Sequence, residues 1–110
     1  MKKKTTIAPY NYYVVQYWMI SVLKLRGLKL HVYAIIYGFS QNNEGEYNGS
    51  MNYLAKFTGS SRMAVWTALN ELEQAGLIEK EDLHSTTGDS NIYKVKITEE
   101  LTRRINSNAQ

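Results

Sequence analysis

The most informative absence in this chain of 110 residues is that of cysteine. Without cysteine the chain has neither disulfides nor thiol chemistry, which agrees with a reducing cytoplasm. The two histidines, His31 and His84, lie in different predicted elements, so the usual spacing of metal ligands is missing. We therefore expect a cytoplasmic protein that holds no metal and no other cofactor.

Motifs of catalysis and long apolar runs are missing as well. No Gly-Lys-Ser/Thr follows Gly59-Ser60-Ser61, as a phosphate-binding loop would require, and no Gly-x-Ser-x-Gly turn occurs. The start, MKKKTTIA, lacks the apolar run of a signal peptide. The longest apolar windows, residues 12–23 and 32–39, are too short to cross a bilayer. We expect neither an enzyme with a small-molecule substrate nor a membrane protein.

Charge is unevenly distributed along the chain. The net charge is +3 and the isoelectric point about 9.1, which suggests an anionic partner. Residues 1–60 carry a net charge of +5, whereas residues 61–110 carry −2. Because Lys and Arg supply most non-specific affinity for DNA, a DNA-binding domain would have to combine basic groups from both halves. A protein partner is the alternative.

The stretch SSRMAVWTALNELEQAGLI, residues 60–78, predicts the helix around which the chain is organised. A hydroxyl of Ser60 or Ser61 can cap its start, and Gly76 suits the left-handed residue at its end. We place the helix at residues 61–75. Its apolar stripe spans about 100° and contains Val65, Ala68, Leu69 and Leu72. Its outer face is uncharged, with Trp66 on one flank, and contains Met63, Thr67, Asn70 and Gln74.

A shorter helix precedes this one, and two strands follow it. Residues 50–58 predict the shorter helix, and the tight turn at Gly59 makes the pair a helix-turn-helix. Residues 77–83 and 92–97 predict the strands, which the polar segment HSTTGDSN separates. These elements predict an α+β winged helix: a helix-turn-helix with a C-terminal two-stranded β-hairpin, the wing.

The segment SRMAVWTALNELEQAGLIEKE, residues 61–81, resembles the recognition-helix-to-wing segment of bacterial winged-helix proteins, whose pattern is S-R-x-x-V-x-x-x-L-x-x-L-x-x-x-G-L-I. The segments VVQYWMI, LHVYAIIYGFSQ and AGLIEKED are also similar to the N-terminal domains of replication initiators and replisome organisers from Firmicutes plasmids and phages. This second resemblance implies origin binding and a homodimer formed through the N-terminal aromatic elements. Transcription regulation is an equally available use of the fold.

The first half of the chain is rich in aromatic residues, with eight of the nine tyrosines before residue 54. Residues 12–15 suggest a short strand, and residues 17–25 a helix that ends at Arg26-Gly27. Residues 28–40 predict a helix that is apolar nearly all round, which is buried at the centre of the domain or in a partner copy. The aromatic side chains either pack the core and its rim or form the dimer surface.

We divide the chain into a basic flexible arm at residues 1–9, a winged-helix domain at residues 10–100, and a flexible C-terminal tail or linker at residues 101–110. Residues 98–100 can begin a short helix, to which Arg103 and Arg104 would give a basic patch, and the end of the chain, NSNAQ, is expected to be frayed. The end of the chain suggests one domain of a longer protein. The resemblance to winged-helix proteins implies a short strand in the polar loop at residues 41–50, which residues 46–48 could add to the wing sheet.

The candidate contacts to double-stranded DNA divide between phosphates and bases. Free N–H groups at the start of the long helix favour a phosphate beside Ser60, Ser61 and Arg62. Further backbone contacts are assigned to Lys56, Lys80, Lys94 and Lys96. Asn can pair with adenine, and Thr or Met can contact a thymine methyl group, so the candidates for base contacts are Met63, Trp66, Thr67 and Asn70.

Two functions of different classes fit these residues. The first is sequence-specific binding of double-stranded DNA, in replication initiation or transcription regulation. The second is a winged-helix module that binds protein or dimerises, with Trp66 and Met63 as anchors, because Trp is large for a groove and suits a protein pocket. Glu71 and Glu73 would repel phosphates if they faced DNA.

Overall fold

The computed structural model describes residues 13–40, 51–82 and 91–107. Within these ranges the chain forms, in order, α1 (Tyr17–Ser21), α2 (Gly27–Ser40), α3 (Met51–Thr58), α4 (Arg62–Gln74), β1 (Ile78–Asp82), β2 (Asn91–Val95) and α5 (Glu99–Ser107). Helices come first and a hairpin follows, as predicted for a winged helix. None of the helices described is both long and apolar enough to span a membrane.

Helix α2 lies at the centre of the core. Residues 32–36 are all buried, so the helix is covered on every side for more than one turn. It packs against α1, α3, α4 and β2. The nearly all-apolar helix is therefore buried within its own domain, and its burial needs no partner copy.

Helix α4 begins and ends where the sequence indicated. The Ser61 hydroxyl accepts a hydrogen bond from the backbone N–H of Ala64 at 3.1 Å and caps the first turn. Gly76 has φ +78°, and the N–H of Leu77 donates to the Leu72 carbonyl at 3.0 Å, which closes the last turn. The predicted stripe is buried in full: Val65, Ala68, Leu69 and Leu72.

The two strands pair as an antiparallel hairpin. Ile78 lies opposite Val95, and Lys80 lies opposite Tyr93. Ile78 and Tyr93 are buried, so their side of the hairpin faces the core. Residues 83–90, which include His84 and most of the predicted turn segment HSTTGDSN, and the predicted strand at residues 46–48 lie outside the described residues.

The region before α2 differs from the prediction. Residues 13–16 form no strand, although β-branched and aromatic residues favoured one. Helix α1 ends at Ser21 and not at Leu25, because the chain turns into the left-handed conformation at Lys24, where φ is +59°. Gly27, predicted to break a helix, is instead the first residue of α2.

Most aromatic side chains of residues 13–40 pack within the protomer. Trp18 stands edge-on to Tyr33 and Tyr37, with ring centroids 6.1 and 5.3 Å apart. Tyr13 packs against Phe57 at a centroid distance of 5.4 Å. For these residues the assignment to the core and its rim is correct.

Helix α5 begins where the sequence allowed a short helix and continues through residues 101–107, which were assigned to a flexible tail. The Thr98 hydroxyl accepts from the N–H of Leu101 at 3.1 Å and caps the helix. Leu101 is buried, and the Arg104 guanidinium donates to the Val22 carbonyl at 3.4 Å. Residues 101–107 are thus helical. The sequence signal for this helix was weak because few of its side chains are apolar.

The cap at Ser61 gives a first prediction. Replacing Ser61 by Ala removes the acceptor for the Ala64 N–H and should lower the free energy of unfolding by about 1 kcal/mol. Ser61→Asp keeps an acceptor at the same place and should retain most of that stability. Urea denaturation measures both. The control Ser60→Ala should change stability by less than about 0.5 kcal/mol. If Ser60→Ala lowers the free energy of unfolding as much as Ser61→Ala does, the assignment of the cap to Ser61 is contradicted.

The hydroxyl of Tyr33 gives a second prediction. The side chain is fully buried, and its oxygen has no hydrogen-bond partner in the part of the chain described. Tyr33→Phe should therefore be as stable as the natural chain at pH 7, or more stable by up to about 1 kcal/mol.

Alkaline pH should increase the stability of Tyr33→Phe relative to that of the natural chain. Burial, and to a lesser extent Tyr37, raises the pKa of the Tyr33 hydroxyl. Above pH of about 10 the unfolded chain loses this proton while the folded chain keeps it, so the natural chain loses stability as pH rises. Tyr33→Phe lacks this loss. Urea denaturation at pH 7 and above pH of about 10 tests this pH dependence. Tyr17→Phe, which removes an exposed hydroxyl, is the control. If the free energies of unfolding of the natural chain and Tyr33→Phe differ by the same amount at both pH values, the prediction is contradicted.

Candidate nucleic-acid interface

Helices α3 and α4 form the helix-turn-helix, and a turn at residues 59–61 joins them. Gly59 has φ +73°, a left-handed conformation that lets the chain leave α3 abruptly. The N–H of Ser60 donates to the Ala55 carbonyl at 2.8 Å and closes the end of α3. Leu54 of α3 and Val65 of α4 are both fully buried. The outer face of α4 is thereby held in a fixed position relative to the core.

Three of the predicted base-contacting residues share one stripe of that outer face. Met63, Thr67 and Asn70 follow each other at intervals of four and three residues, which places them one above the other on a helix. The Met63 side chain is 71% exposed, Thr67 is exposed and Asn70 is half-buried. We call these three residues the α4 stripe. It carries no charge.

Trp66 lies on the flank of the stripe and not at its centre. Its side chain is 52% exposed. Together with Met51 from the start of α3, Arg62 and Met63, it lines a shallow depression that is mostly apolar. The indole is therefore part of a joint surface of α3 and α4, which the sequence did not indicate because Met51 lies in another helix.

The residues at the start of α4 have separate roles. Ser61 uses a lone pair for the cap, but its O–H is a donor that can still reach an anion. Ser60 is half-buried, whereas Arg62 is exposed at the first position of the helix. Of the three predicted phosphate contacts here, Arg62 supplies the charge.

The four predicted lysines do not lie on one surface. Lys94 lies opposite Glu79 in the hairpin, and the Lys96 ammonium is 4.0 Å from the Glu79 carboxylate, so these residues share the outward face of the wing. Lys80 lies opposite the buried Tyr93 and thus on the other face. Lys56 is exposed in the last turn of α3. Because side chains alternate along a strand, one flat surface cannot contact Lys80 together with Lys94 and Lys96.

Glu71 is paired within the protomer. Its carboxylate is 3.3 Å from the ammonium of Lys29 in α2, with about half of each side chain exposed, 51% and 43%. A pair this exposed adds little stability, but it offsets the negative charge next to the α4 stripe. Sequence reasoning missed Lys29, because nothing local marks a partner 42 positions away.

Carboxylates elsewhere form no metal site in the part of the chain described. No three His, Asp or Glu side chains come together there in a way that can hold an ion.

Comparisons with known proteins agree with this geometry. A family profile described as a helix-turn-helix domain matches residues 23–78, which run from the end of α1 to the start of β1. No curated protein sequence matches the chain significantly.

Three solved structures illustrate the fold similarity. A possible transcriptional regulator from Methanosarcina mazei Go1 has a TM-score of 0.56 and 16% identity, over 79% of this chain and 68% of that chain. A mutant of S. aureus MepR bound to oligodeoxyribonucleotide has a TM-score of 0.55 and 17% identity, over 83% and 70%. A MarR family transcriptional regulator from Silicibacter pomeroyi DSS has a TM-score of 0.52 and 14% identity, over 80% and 52%.

This chain therefore spans about half the length of the Silicibacter regulator. At such low identity these similarities establish the fold and nothing more. The chain belongs to the helix-turn-helix domain family, and its fold is the predicted α+β winged helix.

Proposed function

We propose that the domain binds double-stranded DNA sequence-specifically, with α4 as the helix that enters the major groove. The α4 stripe supports this most directly, because it is an uncharged surface with hydrogen-bonding and apolar groups on the second helix of a helix-turn-helix, exposed at Met63 and Thr67 and half-buried at Asn70. The major groove admits an α-helix, and the second helix of such a pair reads base edges there. A similar structure, that of the MepR mutant, is described as bound to oligodeoxyribonucleotide.

Basic side chains around α4 supply the backbone contacts in this proposal. Lys56 and Arg62 extend from the two helices of the pair, and Lys94 and Lys96 share the outward face of the wing. Neutralising phosphates with such residues makes affinity depend steeply on salt. The Lys29–Glu71 pair reduces the repulsion that the carboxylate would otherwise exert.

Transcription regulation is the use that the similar structures favour, since two of them are described as transcriptional regulators, one of them as a possible one. Origin binding in replication rests on the resemblance of three sequence segments and stays a prediction. Both uses need the same surface of α4.

Homodimerisation through α1 is the second part of the proposal. Dimeric helix-turn-helix proteins bind two half-sites, so a dimer would double the base contacts of one domain. Trp18 and Tyr13 pack inside the protomer, which leaves an exposed apolar group at and before α1: Val14, Tyr17 and Ile20. Tyr17, 74% exposed, would be its centre.

A protein partner is the other candidate function, and the depression beside Trp66 is the observation that favours it. Met51, Met63 and Trp66 together offer an apolar surface of the kind that protein anchors fill. Such a contact would depend little on salt, whereas phosphate contacts lose affinity as salt rises.

Duplex binding is the direct test. Fluorescence anisotropy with a random-sequence duplex, from about 50 to 200 mM salt, should give a dissociation constant that rises steeply with salt. The variant Met63→Ala/Trp66→Ala/Asn70→Ala should bind more weakly at every salt concentration. Gln74→Ala is the matched control, because Gln74 is exposed in the last turn of α4, beyond the reach expected of a helix that docks by its N-terminal end.

Two results would count against DNA binding. A folded domain that fails to bind the duplex at the lowest salt would refute it for this domain alone, and a salt-independent interaction lost with Trp66→Ala would favour the protein partner. If the triple variant binds as tightly as the natural chain, α4 is not the reading helix.

The dimer gives a fourth prediction. Tyr17→Glu places a charge at the centre of the exposed group at α1 and should shift a dimer to monomers in sedimentation velocity at micromolar concentration. Ile97→Glu, at another exposed apolar side chain, 42% exposed, should leave the dimer intact. A natural chain that stays monomeric across the concentrations tested, or a dimer that Tyr17→Glu does not weaken, would contradict the assignment.

A further inference from the structure

We infer that the α4 stripe reads thymine methyl groups, so that the DNA selected by this domain contains A·T pairs at the contacted positions. The inference deepens the proposed DNA binding and depends on it. What it adds is the chemistry of the bases, which the fold itself leaves open.

The chemical groups on the stripe set this preference. Met63 offers a thioether and a methyl group, Thr67 a methyl group and a hydroxyl, and Asn70 an amide. Guanine is most often read by the paired donors of Arg or Lys, and the stripe has neither. Adenine takes the amide of Asn, and the thymine of the same pair presents a methyl group in the major groove.

The dimensions of the stripe match a short run of base pairs. Met63 and Asn70 are seven residues apart, which is about 10 Å along a helix. Base pairs stack about 3.4 Å apart, so the stripe extends over roughly three of them. Thr67 lies between the other two. Along α4, Met63 and Thr67 would therefore contact thymine methyl groups, and Asn70, which follows them, would contact adenine.

The side chains of the stripe are available for such contacts. Met63 is 71% exposed, so most of its apolar surface meets water until a partner covers it. Among the described residues, neither the Thr67 hydroxyl nor the Asn70 amide has a hydrogen-bond partner. Arg62, the nearest residue that suits guanine, lies beside Trp66 and Met51 on the flank.

Removal of the methyl groups from DNA tests the inference without knowledge of the natural site. Anisotropy titrations would use four alternating duplexes: dA·dT, dA·dU, dG·dC and dG·d(5-methyl-C). The dA·dU duplex lacks only the thymine methyl groups, and the methylated dG·dC duplex gains one at the same place in the groove. We expect dA·dT to bind more tightly than dA·dU by about fourfold for each methyl group contacted. Methylation of the dG·dC duplex should strengthen its binding.

Matched substitutions then assign the methyl contact to residues. Met63→Gln keeps the length of the side chain and replaces its apolar end, and Thr67→Ser removes one methyl group and keeps the hydroxyl. Both should reduce the difference between dA·dT and dA·dU. Thr67→Val, which keeps the methyl group, and Gln74→Ala should preserve the difference.

The possible failures are distinguishable. Salt-dependent binding with equal affinity for dA·dT and dA·dU would overturn methyl reading and leave the proposed DNA binding intact. A methyl effect that survives Met63→Gln combined with Thr67→Ser would overturn its assignment to the stripe. If a folded domain binds none of the four duplexes at about 50 mM salt, the proposed function fails, and the inference fails with it.

Discussion

The packing of α4 onto the buried helix α2 is the contact on which the rest of the structure depends. Helix α2 is covered on all sides at residues 32–36, and one of its neighbours is the apolar stripe of α4. Side chains project at fixed angles around a helix, so burial of Val65 and Leu72 on one side fixes which residues face outward on the other. Exposure of Met63 and Trp66 is thus a direct consequence of core packing, and not of any local feature of those residues.

This dependence explains why helix α4 was predictable. Its signals are local: a serine at the cap, a glycine with positive φ at the end, and apolar residues at helical intervals between them. Each signal acts within one or two turns of the same helix, where sequence spacing and spatial spacing coincide. Burial of α2 was predictable for a similar reason, because apolar residues all round a helix require neighbours on all sides, but the sequence left open whether its own domain or a partner copy supplies them.

Features that depend on two distant elements were not predictable. Helix α1 ends early because Lys24 is left-handed, a conformation that L residues adopt only when the surroundings favour it. The start of helix α5 was predicted, but its packing onto the domain depends on a buried Leu101 and on a hydrogen bond from Arg104 to Val22, which lies 82 positions away. Lys29 and Glu71 meet only because α2 and α4 pack together. None of these contacts leaves a periodic pattern in the sequence.

In the candidate interface, too, the distribution of charge depends on contacts between separate elements, which the sequence does not reveal. The sequence assigned the three lysines of the wing to phosphate contacts, but the strand register decides which face of the hairpin each lysine lies on. On the outward face Glu79 lies opposite Lys94 and 4.0 Å from the Lys96 ammonium, whereas Lys80 lies on the side of Tyr93. In the part of the wing described, the outward face therefore carries less net positive charge than Lys94 and Lys96 alone suggest. In the proposed DNA binding, the helices would then supply much of the contact to phosphates.

Trp66 is the residue on which the two candidate functions differ most. At the centre of the outer face, an indole would hinder close approach to base edges, because it is far larger than the methyl, hydroxyl and amide groups beside it. Trp66 lies on the flank, as the helical spacing indicated, next to Met51 and Arg62, and leaves the α4 stripe to smaller side chains. From the flank, an indole can cover the sugar edge of a groove while the stripe reads the bases. The bulk of Trp66 is then compatible with DNA binding, and its size alone no longer favours a protein partner.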